Sequence, residues 1–149
     1  MANDKMGDLS EHFNHKDFAC RCEECKGKNY RIHLGLVGAL EMIGAHFKKP
    51  VKIVSGYRCE ESSEKVLGTK KSFHTQGKAA NIFIEGISPA ELFKFVEQIP
   101  EIKGLGFYPQ EKFVHLDTRD GEKVEWVKES GAYLPLTPER KRKYGLEVS

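Results

Sequence analysis

Two histidines and one asparagine in this chain have the types and spacing of metal ligands. His74 and Asn81 lie seven positions apart in one segment, and His115 lies in a second segment further along the chain. Two imidazoles and one oxygen ligand, with a fourth position left to water, are typical of a catalytic zinc site. The oxygen ligand in such sites is normally a carboxylate, whereas Asn81 would supply an amide. The pattern therefore predicts a zinc centre at His74, Asn81 and His115 with one unusual ligand.

The amide has an energetic consequence for such a centre. None of the three ligands is anionic, so the double positive charge of zinc stays uncompensated in a partly buried site. We expect metal binding to be weaker than with an aspartate ligand, on the order of several kcal/mol. Three alternatives stay open: a protein that keeps its binding groove but has lost the chemistry, a deliberate replacement of an aspartate by Asn81, or a site in which another acid supplies the missing oxygen.

Charged residues accompany these candidate ligands. Asp117 lies two positions after His115, so both side chains point to one face of a strand, and Glu111 shares that parity if the strand extends back to it. Either acid could act as general base, and Asp117 could instead orient a ligand histidine. Arg58 follows a Ser-Gly turn at a strand end, a common place for a functional side chain. Singly, each is more often an ion-pair partner; together they indicate a site.

The four cysteines could be metal ligands, disulfide partners or free thiols. Cys20, Cys22 and Cys25 are spaced C-x-C-x-x-C, and Cys59 stands alone further along the chain. Four thiolates could close a tetrahedral structural zinc site. Disulfides and unpaired thiols are the other two possibilities. Disulfides are the less expected, because the first residues of the sequence contain no apolar secretory signal.

Length and charge narrow the class of protein. The 149 residues fit one domain, residues 1–149, with a hydrophobic core large enough to be stable without disulfides or bound metals. The net charge of +2 is too small to indicate a nucleic-acid partner. No apolar stretch reaches the ~18–20 residues of a membrane span. With no export signal visible, the localisation is unknown, and the cytoplasm is the default expectation.

The pattern of apolar residues and turns predicts an α+β domain with a mostly antiparallel sheet flanked by helices. Residues 1–33 are expected to be an irregular, cysteine-containing N-terminal segment, and residues 128–149 a C-terminal tail. Ser88, Pro89 and Glu91 form the start signal of a helix that Pro100 should end. Another helix is predicted at 34–48, and strands at 51–54, 79–84, 104–108, 113–118 and 123–127.

Three motifs in order give the chain a family resemblance. They are Ser-Gly-Tyr-Arg at 55–58, Ser-x-His-x-x-Gly-x-Ala-x-Asn at 72–81, and Gly-Phe-Tyr-Pro with Phe-Val-His-Leu-Asp within 106–117. Together they resemble the D-alanyl-D-alanine carboxypeptidase-like (VanY-type) zinc peptidases, whose fold is shared with the Hedgehog signalling domain.

The resemblance implies a role for each matching residue. It makes His74 and His115 two metal ligands and puts Asn81 in the place of an aspartate ligand. It makes Arg58 the residue that holds a substrate carboxylate or transition-state charge, and Ser72 the serine beside the first ligand. In some branches the general base lies three positions before the last histidine; here that position is a lysine, so the assignment does not carry over.

The expected function is a zinc-dependent peptidoglycan peptidase of the D-Ala-D-Ala carboxypeptidase type, acting on D-Ala-containing stem peptides as a carboxypeptidase or endopeptidase. The amide at position 81 predicts impaired activity. A catalytically inactive module that binds cell-wall peptides is the alternative. A structural zinc protein with its metal on the cysteines is a more distant third possibility.

Overall fold

The computed structural model describes residues 12–13, 32–55 and 78–147 of the chain. Within these residues it contains three helices and one six-stranded sheet. The helices are α1 (Leu34–Phe47), α2 (Pro89–Val96) and α3 (Pro138–Tyr144). The strands are β1 (Lys52–Ser55), β2 (Ala79–Phe83), β3 (Gly104–Tyr108), β4 (Phe113–Asp117), β5 (Val124–Glu129) and β6 (Ala132–Pro135). No helix in this part of the chain is long and apolar enough to cross a membrane.

The order of the strands positions the candidate site. They lie in the order β1-β2-β4-β3-β5-β6, and only the β3–β5 pair is parallel. This confirms the predicted α+β class with a mostly antiparallel sheet. A row of directly paired residues crosses the sheet from Asn81 on β2, through His115 and Gly106, to Trp126 on β5. Residues paired across strands share one face of the sheet, so this row forms one surface.

The opposite face of the sheet belongs to the hydrophobic core. Leu105, Val114 and Leu116 on the central strands are buried there with Leu40 of α1 and Phe93 of α2. Each such side chain contributes roughly 1.5–3 kcal/mol when it is removed from water. Because β3 and β4 alternate between core residues and residues of the other face, the core fixes both strands as a rigid support for the polar row.

The start of α2 is the one predicted from its capping residues. The Ser88 hydroxyl accepts a hydrogen bond from the Glu91 backbone N–H at 3.2 Å, and Pro89 occupies the first helical position. The helix ends at Val96, earlier than the expected stop at Pro100. The backbone N–H groups of Gln98 and Ile99 bond to carbonyls three positions back, which tightens the chain into turns.

The segment predicted as a C-terminal tail, residues 128–149, contains regular secondary structure. Its described residues contain the end of β5, all of β6 and α3. Thr137 caps α3 by accepting a hydrogen bond from the Arg140 backbone N–H at 3.3 Å. Lys141 forms ion pairs with Glu97 at 2.6 Å and Glu125 at 2.9 Å. With Leu146 fully buried, these contacts anchor the segment to the sheet.

Candidate functional site

The side chain of His115 lies between two oxygen-bearing residues. Its Nδ1 is 2.9 Å from the Asn81 Oδ1, and its Nε2 is 2.7 Å from the Asp117 Oδ2. The contact with Asn81 follows from the β2–β4 register, which pairs the two residues directly. The contact with Asp117 confirms that these two residues of β4 point to the same face. The imidazole is thereby fixed at both nitrogens.

Asp117 is itself held by Arg119. The Nε and Nη2 atoms of Arg119 each donate to one carboxylate oxygen at 2.8 Å, and its backbone N–H also donates, at 3.2 Å. Asp117 is fully buried. Burial would raise the pKa of Asp117, but the hydrogen bonds from Arg119 and His115 outweigh it and hold that pKa well below its ordinary value. Asp117 is therefore a carboxylate at neutral pH.

The charge of Asp117 determines which nitrogen of His115 carries a proton. A carboxylate accepts from Nε2–H, so in the neutral ring the lone pair is on Nδ1 and points to the carbonyl oxygen of Asn81. The lone pairs of His115 Nδ1 and of the Asn81 side-chain oxygen then face each other. A cation between them, a second proton on the ring, or a rotation of the amide group would stabilise this arrangement. Metal-binding histidines commonly donate their other N–H to a carboxylate. The pair therefore fits a cation that takes further ligands from elsewhere.

The described residues supply only part of a metal site. Among them, no group of three or more His, Cys, Asp or Glu is placed to hold an ion. His74, Arg58 and Ser72 lie outside the described residues. So do the cysteines, which are Cys20, Cys22, Cys25 and Cys59. Their predicted roles stay predictions.

Two glycines on β3 make room for the site. A Cβ on Gly104 would lie 2.2 Å from both Asp117 carboxylate oxygens, and a Cβ on Gly106 would lie 2.6 Å from the Trp126 Nε1. The indole of Trp126 reaches over Gly106 to the His115 ring, with centroids 5.1 Å apart. Sequence reasoning did not identify Trp126 or Arg119 as site residues. The Gly-x-Gly spacing within a strand was the available signal, because interior glycines often mark a close approach.

Glu111 lies outside β4, so the strand parity does not extend back to it. β4 begins at Phe113, and Lys112 before it has a left-handed backbone with φ of 63°. This turn redirects the chain, and the Glu111 carboxylate pairs with Lys128 at 3.1 Å. Of the two acids considered as general base, Asp117 contacts His115, but both of its oxygens are already occupied. Its contacts favour the orienting role.

Comparison with known proteins places this arrangement in a family. The family model described as Peptidase M15 matches residues 11–117. The chain is 37% identical over 94 residues to the peptidoglycan L,D-endopeptidase MepK of Escherichia coli K12, covering 60% of this chain and 46% of that protein. The MepK proteins of E. coli O157:H7 and Shigella flexneri match to the same extent. The chain thus spans about half the length of these relatives. These matches confirm the resemblance inferred from the three motifs, and the chain belongs to the M15 family of peptidases.

Proposed function

We propose that this chain is a peptidoglycan peptidase whose zinc ion is held by His74, His115 and Asn81. The observation that carries the proposal is the position of the His115 imidazole, with Nε2 at 2.7 Å from Asp117 and Nδ1 at 2.9 Å from Asn81. Family membership supports it, as do relatives whose name specifies a peptidoglycan endopeptidase. The third ligand, His74, comes from the motif alone.

The residues of the chain have distinct tasks in this proposal. When bound, the metal acts as a Lewis acid on the scissile carbonyl and makes water a better nucleophile. Asp117 keeps the Nε2 proton of His115 in place, and Arg119 keeps Asp117 ionised. Arg58 binds a substrate carboxylate or the negative charge that develops during cleavage, with Ser72 beside the first ligand. Asp117 is thus a positioning residue, and the general base is unassigned.

In this proposal the cleaved bond is an internal peptide bond, not the bond to a terminal D-Ala. The sequence left carboxypeptidase and endopeptidase action open and favoured a terminal D-Ala. The MepK proteins are named L,D-endopeptidases, which favours an internal bond. Digests of purified peptidoglycan distinguish the two, because a carboxypeptidase releases free D-alanine and an endopeptidase separates cross-linked muropeptides.

A binding module without catalytic activity is the second candidate. The observation that favours it is the amide of Asn81, which faces His115 where an aspartate would bring a negative charge. Without that charge the metal is bound less tightly, since its double positive charge is poorly balanced. The groove would then hold wall peptides without cutting them.

The test compares the chain with its Asn81→Asp variant at equal added zinc. We expect the variant to bind zinc at least about tenfold more tightly and to digest peptidoglycan faster, because the new carboxylate balances the metal charge. Zinc affinity is measured by competition with a chelating dye and digestion by chromatography of released muropeptides. Gln98→Glu, an amide-to-acid change at an exposed position after α2, is the matched control and should change neither.

Each outcome bears on one part of the proposal. Equal zinc affinity of the chain and the Asn81→Asp variant would remove Asn81 from the metal site. If only the variant digests peptidoglycan while both proteins bind it, the chain is a binding module. If neither protein binds zinc or peptidoglycan, the proposed function is wrong.

A further inference from the structure

Aromatic side chains continue the site face of the sheet beyond His115. Tyr108 of β3 stacks on Phe113 of β4 with ring centroids 4.6 Å apart, and it meets Tyr133 of β6 edge-on at 6.3 Å. The Trp126 indole N–H donates to the Tyr108 hydroxyl at 3.3 Å. We call these four residues, Tyr108, Phe113, Trp126 and Tyr133, the aromatic shelf.

The aromatic shelf is open to solvent and adjoins the candidate site. Tyr133 is 56% exposed, and the other three rings are partly exposed. Trp126 contacts the His115 ring, so the shelf begins at the residue that the proposed function places beside the metal. A substrate that extends past the cleaved bond in this direction would lie on the shelf.

The charged groups that contact the aromatic shelf form two compensated pairs: Arg119, which lies over the Trp126 ring, with Asp117, and Lys128 with Glu111. The Lys128 ammonium lies 5.9 Å from the centroid of Tyr108 and 5.8 Å from that of Tyr133. The Glu111 carboxylate pairs with it at 3.1 Å, so one positive and one negative charge compensate each other. An acidic stem peptide would gain little attraction from such a pair. A neutral ligand with hydroxyl and amide groups could use both a donor and an acceptor there.

The backbone beneath Tyr108, Phe113 and Trp126 is already paired on both sides, whereas β6, which carries Tyr133, is an edge strand of the sheet in the described part of the chain. β5, which carries Trp126 and Lys128, is hydrogen-bonded to β3 on one side and to β6 on the other. An extended peptide therefore cannot add to β5 as a new strand. What the shelf presents is a set of partly exposed rings, with the Lys128 ammonium over Tyr108 and Tyr133.

We propose that the aromatic shelf binds a neutral saccharide ring of the glycan strand to which the stem peptide is attached. The C–H groups on one side of an N-acetylated pyranose form an apolar face that fits the electron-rich face of an aromatic ring. The hydroxyl and acetamido groups at the sugar edge fit Lys128, Glu111 and the Tyr108 hydroxyl. This inference rests on the proposed function for its choice of polymer. It assigns the glycan strand, the second component of peptidoglycan, to the aromatic shelf.

The experiment measures binding, so it does not depend on catalytic activity. The full chain is titrated with a tetramer of N-acetylglucosamine, and binding is followed by the fluorescence of Trp126, the single tryptophan of the chain. Removal of an aromatic ring that stacks on the ligand is expected to weaken binding by about tenfold. Tyr133→Ala should therefore weaken binding by this factor, whereas Leu34→Ala, at a 71% exposed position on α1, should not.

A free stem peptide without sugar serves as the second probe. Its affinity should be unchanged in Tyr133→Ala if the shelf binds only the glycan. The proposal is overturned if the tetramer does not bind, if Tyr133→Ala leaves its affinity unchanged, or if the variant loses affinity for the peptide instead. Failure of the proposed function is recognised separately, by the absence of zinc-dependent digestion of peptidoglycan.

Discussion

At the residue scale, His115 is held from both sides by groups of different charge. Asp117, an ionised carboxylate, is on the Nε2 side, and Asn81, a neutral amide, is on the Nδ1 side. A metal site normally has a negative charge on one of its ligands. Here the negative charge is on Asp117, on the far side of the imidazole, and Arg119 largely compensates it. Within the described residues, His115 is therefore oriented like a metal-binding histidine, with a neutral amide and no carboxylate beside its Nδ1.

Arg119 should control this orientation through Asp117. Replacing Arg119 by Gln removes the two guanidinium hydrogen bonds, each 2.8 Å long, that fix the carboxylate. We expect zinc affinity to fall about tenfold or more, in the range seen when outer partners of metal ligands are removed. Arg119→Lys should recover only part of the loss, because an ammonium cannot make the forked contact.

Calorimetry with zinc and nitrogen NMR of the imidazole measure the two effects. The NMR spectrum should show that less of His115 carries its proton on Nε2 in Arg119→Gln. Arg142→Gln, at an exposed arginine of α3, is the control for loss of a positive charge. Unchanged zinc affinity and an unchanged imidazole spectrum in Arg119→Gln would show that Arg119 does not position the histidine.

At the element scale, β3 needs a glycine at position 106 because the Trp126 indole packs directly over the strand there. Gly106 pairs with His115 on one side and Trp126 on the other, and the indole lies where a Cβ would be. Gly106→Ala should therefore displace the indole and destabilise the fold by about 1–3 kcal/mol, as overpacking typically does. Urea unfolding measures the stability, and the fluorescence of Trp126 reports its displacement.

The matched control for this substitution is Gly38→Ala in α1, where a Cβ would meet none of the described atoms within 4 Å apart from the neighbouring backbone of its own helix. In a helix interior, alanine is favoured over glycine by about 0.5–1 kcal/mol, so this variant should be neutral or stabilised. If Gly106→Ala were as stable as Gly38→Ala with an unchanged emission spectrum, the indole would not occupy the space above Gly106.

The elements that the sequence predicted are those with strong local signals. The apolar spacing of α1, the cap of α2 at Ser88 and the alternation in β4 all act within a few residues. β6 and α3 were missed because β6 is short and mostly exposed and α3 has no buried residue. Both depend on contacts with distant parts of the chain, such as the ion pair of Lys141 with Glu97.

The contacts of the candidate site were likewise predictable from the sequence only where a local pattern determines them. The contact between His115 and Asp117 follows from the two-residue period of a strand and was predictable. The contact between Asn81 and His115 depends on the register of β2 against β4, which the sequence indicated only through a family motif. The part played by Arg119 requires the chain to turn back on Asp117 after β4 ends, and no local pattern marks that turn.

At the scale of the whole molecule, one group of charges joins α2, β5 and α3. Lys141 of α3 contacts Glu97, which follows α2, and Glu125 of β5. Burial raises the pKa of Glu125, and the neighbouring Glu97 raises it further. Burial acts in the same direction on Glu97, but hydrogen bonds with Glu125 and Lys141 outweigh it and lower its pKa. The two carboxyl groups thus differ in charge over part of the acidic range.

The pH dependence of stability should reveal the raised pKa of Glu125. A pKa raised by folding favours the folded state while the group is protonated, and this contribution is lost as the pH rises through the folded pKa. Glu125→Gln keeps a neutral donor at every pH. The free energy of unfolding of this variant, relative to the unchanged chain, should therefore be higher at about pH 8 than at about pH 4. Urea titrations at both pH values measure it, with Glu122→Gln at an exposed position as the control. A relative stability that is equal at both pH values, or higher at the acidic one, would mean that folding does not raise the pKa of Glu125.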